Sequence, residues 1–124
     1  MDEGDQMKVI DLNIIKDDFT KLFDSISKEI DRINKSKGFH KKWNNAEKIA
    51  LMHSELSEAL EATRKTVLQR DEHCESFLNL EVELADCIIR IMHFGYKNKL
   101  RVADALIAKV QYNNTRPYMH EKKF

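Results

Sequence analysis

The sequence predicts an all-α fold, a four-helix bundle-like arrangement joined by short loops. Only three Gly and one Pro occur among 124 residues, while 34% of the residues are charged, and such a composition favours helices over a strand-rich fold. Apolar residues also recur at intervals of three and four along four separate segments, as they do on amphipathic helices. The length fits a single domain spanning 1–124, with 1–16 as an N-terminal arm and 115–124 as a basic tail.

The first helix is expected from Asp17 to Gly38, because glycine readily adopts the backbone conformation that follows a helix C-terminus. Before Asp17 the apolar spacing is mixed and fits a short helix or an arm equally well. The apolar stripe of this helix consists of Phe19, Leu22, Phe23, Ile26, Ile30 and Ile33.

The second helix is expected from Asn44 or Asn45, either of which can cap it, to about Lys65. A linker with some helical turn is expected over 66–77. The apolar face of the second helix, predicted to lie on the core, consists of Ile49, Met52, Leu56 and Leu60.

The third helix is expected from about Leu78 to Gly95, and the fourth from about Val102 to Asn114. Pro117 closes the fourth helix, since proline cannot donate a backbone hydrogen bond. Residues at helical spacing on the third helix are Leu80, Leu84, Cys87, Ile88, Ile91 and Phe94.

The charge balance excludes some classes of partner. The 21 basic and 21 acidic residues give a formal net charge of zero, so the chain lacks the overall positive field with which non-specific nucleic-acid binders collect phosphates. We therefore expect no nucleic-acid polymer as partner, and any phosphate chemistry must depend on local clusters.

The location predicted from the sequence is the cytoplasm, without membrane attachment. The N-terminus is acidic and no apolar signal segment follows it, and apolar runs such as 49–52 are far too short to span a bilayer. The two cysteines, Cys74 and Cys87, form no CxxC motif, and they cannot build a disulfide framework or a zinc site alone.

Two carboxylate pairs indicate a possible metal site. Glu55 and Glu58 on the second helix, and Glu83 and Asp86 on the third, share an i, i+3 spacing and border an apolar sector roughly 80° wide. Four carboxylates close together would repel one another and raise their pKa values unless a cation neutralised them. Mg²⁺ prefers oxygen ligands and commonly bridges carboxylates to phosphates. The alternative is that both pairs are solvated surface charge.

The last helix carries a second, cationic pattern. Lys109, Asn113 and Arg116 lie at i, i+4 and i+7, and we call this face the cationic strip. Arg can hold a phosphate with its two-pronged guanidinium and Lys with a mobile charge. The alternative is a basic tail that complements a helix C-terminus. Further basic residues follow Pro117, namely His120, Lys122 and Lys123.

Trp43, the only tryptophan, lies in the loop before the second helix. An aromatic side chain there could stack on a nucleotide base, or it could instead plug the end of the bundle.

These motifs together resemble the MazG-like, all-α nucleoside triphosphate pyrophosphatases. The ExxE motif at 55–58 is followed, after 24 residues, by ExxD at 83–86, and the tail YNNTRPYMHEKKF is similar to the YNxTRPYxHGKKF ending of small MazG-like proteins. The segments LMHSELSEALEATRK and ELADCIIRIM also look like the family. The resemblance covers about 38–124.

The resemblance implies a Mg²⁺-dependent enzyme, with Mn²⁺ as a possible substitute, that cleaves nucleoside or deoxynucleoside triphosphates to monophosphates and pyrophosphate. Such an activity would suit house-cleaning of nucleotide pools. It also implies an intertwined homodimer or homotetramer with sites at subunit interfaces. The implied metal ligands are Glu55, Glu58, Glu83 and Asp86, and the implied substrate contacts include Lys109, Asn113 and Arg116.

We accordingly expect Glu55 to act as the base, with Lys109 and Arg116 offsetting charge on the leaving pyrophosphate. Trp43, His120 and Lys123 complete the expected substrate-binding residues. One alternative is a catalytically silent helical interaction module, and another is a phosphoribosyl-nucleotide pyrophosphohydrolase of the same superfamily. A ferritin-like di-iron bundle would need ExxH pairs, which the sequence lacks.

Overall fold

Four α-helices make up the structure, a computed structural model that describes residues 10–38 and 44–117. Within those ranges the only strand-like pairing is an isolated antiparallel bridge between Arg70 and Leu78. The predicted all-α, four-helix class is therefore confirmed. The helices are α1 (Leu12–Ser36), α2 (Asn45–Thr63), α3 (Asn79–Lys97) and α4 (Val102–Thr115).

Local signals explain most helix ends. Asn44 caps α2, since its side-chain oxygen accepts the backbone N–H of Glu47 at 2.8 Å, which satisfies one of the free donors of the first turn. Gly38 follows α1 with a φ of 78°, a conformation that glycine adopts without steric cost. Both positions are as the sequence predicts.

Helix α1 begins five residues before the predicted start at Asp17. Asp11 is the reason, because its carboxylate accepts the backbone N–H of Asn13 at 2.9 Å and so caps the additional turn. The signal was present in the sequence, but the mixed apolar spacing around it concealed the helix.

The chain groups into two compact units. Unit 1 takes the described residues up to Phe23 together with the described residues from Arg101 onward. Within it, the Thr20 hydroxyl donates to a carboxylate oxygen of Asp104 at 2.9 Å, and Ala103 and Ile107 of α4 are buried.

Unit 2 is Asp24–Leu100 and contains the hairpin of α2 and α3. The Cys87 thiol lies 3.7 Å from the carbonyl oxygen of Met52, while Glu58 lies near Glu83, so the two helices run antiparallel. The second half of α1 also belongs to this unit, and its buried Asp31 is paired with His93 of α3.

The face by which α2 packs differs from the one predicted. Small residues, Ala59 and Ala62, are buried there, and they let α3 approach closely. Three of the four large apolar residues that we expected on the core, Ile49, Leu56 and Leu60, are instead exposed in the single chain, with Leu56 at 49% and Leu60 at 54% of their full exposure. Met52 is half-buried. On α3, Leu84 and Ile88 are exposed in the same way. The carboxylates therefore lie closer to the packed face than the sequence indicated.

No helix in the described part of the chain is long and apolar enough to cross a membrane.

Candidate metal centre

Three carboxylates converge between α2 and α3. One oxygen each of Glu55, Glu58 and Glu83 lies within 4.8 Å of the others, and we call these three residues the carboxylate cluster. The i, i+3 spacing places both glutamates of α2 on one side of that helix, and the antiparallel packing brings α3 against it. The sequence prediction that the two acidic pairs meet is thus fulfilled for these three residues.

The cluster is partly removed from water. Glu55 retains only 9% of its full exposure, and atom Oε2 of Glu83 is buried without any hydrogen-bond partner. Burial, followed by the neighbouring carboxylates of Glu58 and Glu55, raises the pKa of Glu83 to about 7. An unpaired buried carboxylate oxygen costs free energy, so the cluster is an arrangement that a cation would relieve.

Asp86, the fourth predicted ligand, lies beside the cluster. Its oxygens are not among those that converge within 4.8 Å. Burial and then the negative charge of Glu55 raise the pKa of Asp86, while the positive charge of Arg90 acts in the opposite direction. Asp86 is therefore close enough to contribute charge to the site, and it lies one turn along α3 from Glu83.

The donor set suits a hard divalent cation. All three converging groups are carboxylates, and the nearby thiol of Cys87 is directed to the Met52 carbonyl oxygen. Oxygen ligands of this kind are typical of Mg²⁺ and Mn²⁺, whereas soft or borderline metals favour sulfur and imidazole.

Arg90 is the residue that sequence reasoning left without a role. Its Nε atom donates to Oε1 of Glu55 at 2.8 Å. Among the described residues, it is the only cation that forms an ion pair with any of the four predicted ligands. Its position four residues after Asp86 places it on the same face of α3, which was the signal available in the sequence.

The loop between α2 and α3 is held by Asp71. Its carboxylate accepts the backbone N–H groups of Cys74 at 2.7 Å and His73 at 2.9 Å, and these bonds hold the pKa of Asp71 below its usual range. The Arg70 guanidinium closes the same turn by donating to the carbonyl oxygen of Ser76 at 2.9 Å. These bonds close the turn that connects α2 to α3.

Lys109 and Asn113 of the cationic strip lie on α4, in unit 1, and Arg116 follows the helix as its C-cap in an extended conformation. The Lys109 ammonium is 4.7 Å from the centre of the Tyr112 ring, and the Arg116 guanidinium is 5.7 Å from the same centre. Both distances are within the range of cation–π attraction. Tyr112 therefore orients two of the predicted phosphate-binding residues, and Asn113 is exposed next to it.

Three predicted substrate-binding residues, Trp43, His120 and Lys123, lie outside the described residues, as does Lys122. A cleft of about 50 Å³ in unit 2 is lined by residues other than the cluster. Ligand pockets usually measure roughly 300–1,000 Å³, so this cleft cannot hold a nucleotide. Its lining residues are Ala62, Lys65, Leu68, Gln69, Asn79 and Leu80.

Comparison with family models, with curated proteins and with solved structures finds no match to the chain.

Proposed function

We propose that this protein is a Mg²⁺-dependent nucleotide pyrophosphohydrolase of the MazG-like kind, which converts nucleoside or deoxynucleoside triphosphates to monophosphates and pyrophosphate. The main support is the convergence of Glu55, Glu58 and Glu83 within 4.8 Å, with a buried oxygen of Glu83 left unpaired. These residues belong to the ExxE and ExxD motifs on which the family resemblance depends.

Each carboxylate would have a defined task. Glu55, Glu58 and Glu83 would hold Mg²⁺, with Asp86 adding charge from the next turn of α3. Bound Mg²⁺ supplies positive charge to phosphate oxygens and lowers the pKa of water. Glu55 would accept the proton of the attacking water, because its ion pair with Arg90 occupies only Oε1.

Hydrolysis breaks a phosphoric anhydride bond, so negative charge builds up on the departing pyrophosphate. Lys109 and Arg116 of the cationic strip would offset that charge, while Asn113 would donate a hydrogen bond to a phosphate oxygen. Their common contact with Tyr112 keeps both cations beside the same ring at the C-terminal end of α4.

Self-association is part of the proposal. Large apolar residues are exposed on α2 and α3 of the single chain, and contiguous exposed apolar surface often marks a protein–protein interface. A second copy of the chain would bury them, in keeping with the homodimer or homotetramer that the family resemblance implies. Residues of this surface in unit 2 include Ile49, Leu56, Leu60, Leu84, Ile88 and Ile91.

The decisive experiment measures pyrophosphate release from a panel of nucleoside and deoxynucleoside triphosphates with Mg²⁺. We expect Glu58→Gln and Asp86→Asn to remain folded and to lose most of the activity. Glu61→Gln is the matched control, since Glu61 is an exposed glutamate of α2 paired with Arg64, and it should behave as wild type. Full activity in either of the first two variants would refute the metal assignment.

Two further measurements separate this proposal from its alternatives. A silent interaction module should show no Mg²⁺-dependent binding of a non-hydrolysable triphosphate in calorimetry. A phosphoribosyl-nucleotide pyrophosphohydrolase should require the same carboxylates but should release pyrophosphate from a phosphoribosyl-nucleotide in preference to the free triphosphates.

A further inference from the structure

The guanidinium of Arg90 is only partly used by its partner. Nε donates to Glu55, whereas neither terminal nitrogen has a hydrogen bond or ion pair within the described residues. The side chain keeps 41% of its full exposure, against 12% for that of Glu55. The terminal nitrogens therefore remain available to a ligand from solvent.

A comparison with Arg32 shows what a purely structural pair looks like in this chain. Arg32 uses both Nε and Nη2 on the carboxylate of Glu29, the two-pronged geometry that gives the strongest arginine–carboxylate pairing. Arg90 forms one bond only. If its role were merely to neutralise Glu55, the two-pronged arrangement would serve better.

Arg90 lies near two of the predicted metal ligands. Its positive charge acts on Asp86 as well as on Glu55, so the guanidinium lies among the carboxylates that we propose as metal ligands. A triphosphate bound through a cation at those carboxylates brings its own oxygens to the same place. The two free terminal nitrogens of an arginine match a pair of phosphate oxygens in spacing and direction.

We propose that Arg90 binds a phosphate group of the substrate at the carboxylate cluster, with Glu55 holding its guanidinium in the required orientation. This inference rests on the proposed function, because the ligand is the triphosphate of the nucleotide. It adds a phosphate-binding cation within unit 2, on the same helix as Glu83 and Asp86. It also gives Glu55 a third task beside metal binding and proton acceptance, since Oε1 accepts the bond that positions Arg90 while Oε2 is not engaged by it.

The test compares Arg90→Met and Arg90→Lys with the control Arg64→Met. Arg64 also pairs with a glutamate through one nitrogen, at 3.0 Å from Glu61, but it lies at the end of α2 away from the cluster residues. Three quantities are measured: kcat and KM for the best triphosphate, the affinity for its α,β-methylene analogue with Mg²⁺, and Mn²⁺ binding without nucleotide.

We expect Arg90→Met to weaken binding of the analogue and to lower kcat/KM by about 10²–10³-fold, the range typical for loss of one charge-stabilising donor. Mn²⁺ binding without nucleotide should be retained or tightened, because a competing positive charge is removed. Arg90→Lys should recover only part of the loss, since lysine lacks the two-pronged geometry. Arg64→Met should match wild type.

Three outcomes would overturn the inference. Unchanged affinity for the analogue, together with weakened Mn²⁺ binding, would mean that Arg90 only orients Glu55. Unchanged kcat/KM in an active Arg90→Met protein would mean that Arg90 neither contacts the substrate nor matters for the position of Glu55. If Arg90→Met does not fold, Arg90→Lys serves as the test. Wild-type affinity of Arg90→Lys for the analogue would refute a bidentate contact between Arg90 and the phosphate. A wild-type chain that binds Mn²⁺ but hydrolyses no triphosphate would instead refute the proposed function.

Discussion

Nε2 of His93 on α3 lies 2.9 Å from Oδ1 of Asp31 on α1. Asp31 is 5% exposed, and Lys35 also contacts its carboxylate, at 2.9 Å. Burial by itself would raise the pKa of Asp31, but the bonds from His93 and Lys35 and the charge of Lys97 outweigh burial and lower the pKa to about 2. The pair is thus a buried, charge-assisted link between two helices of unit 2.

Replacing Asp31 with Asn should therefore destabilise the protein at neutral pH. The folded pKa of about 2 lies below the ordinary value of 3.8, so the ionised carboxylate contributes about 2 kcal/mol to the free energy of unfolding. The contribution is present above pH 3.8 and is lost as the pH falls towards 2. Denaturant unfolding should show that Asp31→Asn has a lower free energy of unfolding than wild type at pH 7, and that this difference becomes smaller at pH 2.5.

Asp24→Asn is the matched control for this link, because Asp24 is an exposed aspartate in the same half of α1. It should change the free energy of unfolding by less than about 0.5 kcal/mol. An equal effect of the two substitutions at pH 7 would contradict the role of Asp31.

Glu83→Gln should stabilise the metal-free protein at alkaline pH. The folded pKa of Glu83 is raised from 4.5 to about 7, so the stability of the wild type is full below pH 4.5 and falls as the pH rises through 7. The neutral amide avoids that loss. With a chelator present, we expect the Tm of the variant to exceed that of wild type by several degrees at pH 8 and to match it near pH 4.5.

With added Mn²⁺ the Tm of wild type should exceed that of Glu83→Gln, because wild type keeps the carboxylate ligand that the variant lacks. The reversal provides an internal control for the site. A variant that is less stable than wild type at pH 8 without metal would indicate that Glu83 has a stabilising partner instead.

Leu60→Glu and Ile88→Glu should weaken self-association. Both side chains are 54% exposed in the single chain, and a charge placed in an apolar interface must be desolvated when two copies meet. Sedimentation should show wild type as a dimer or larger and each variant shifted towards monomer. Val67→Glu is the control, since Val67 is 74% exposed in the loop after α2. Monomeric wild type at working concentration would refute the interface model.

Lys109→Met and Arg116→Met should each lower kcat/KM for the best triphosphate by at least 10-fold, because a phosphate-binding charge is lost. Tyr112→Leu keeps both charges and removes only their cation–π contacts, each worth about 0.5–1 kcal/mol at an exposed site. We expect a loss of about 2- to 5-fold from that variant. Lys28→Met is the control, because Lys28 is an exposed lysine of α1. Equal activity in all four variants would show that the cationic strip takes no part in the reaction.

The helices were predictable because their signals are local. Apolar spacing, the Asn44 cap, Gly38 and Pro117 all act within a few residues of the helix that they define. The buried face of α2 was not predictable in the same way. It depends on the small side chains of Ala59 and Ala62 meeting α3, whereas hydrophobicity alone favoured the face that carries Leu56 and Leu60.

The candidate site was likewise predictable only in part. Equal spacing of the two acidic pairs predicted that they would meet, and three of the four carboxylates do so. The pairing of Arg90 with Glu55 joins residues 35 positions apart, and no periodicity in either helix specifies which cation faces which carboxylate. Such a pair can be identified only once the register of the hairpin is known.

The thinness of the buried core has a thermodynamic consequence. In the described part of the chain the buried core holds few large side chains, Met92 and Ile107 among them, so one copy has a small core with which to offset the conformational entropy lost on folding. Assembly would then supply part of the folding free energy by mass action. The apparent Tm should rise with protein concentration, and dilution alone should lower the stability of the folded chain.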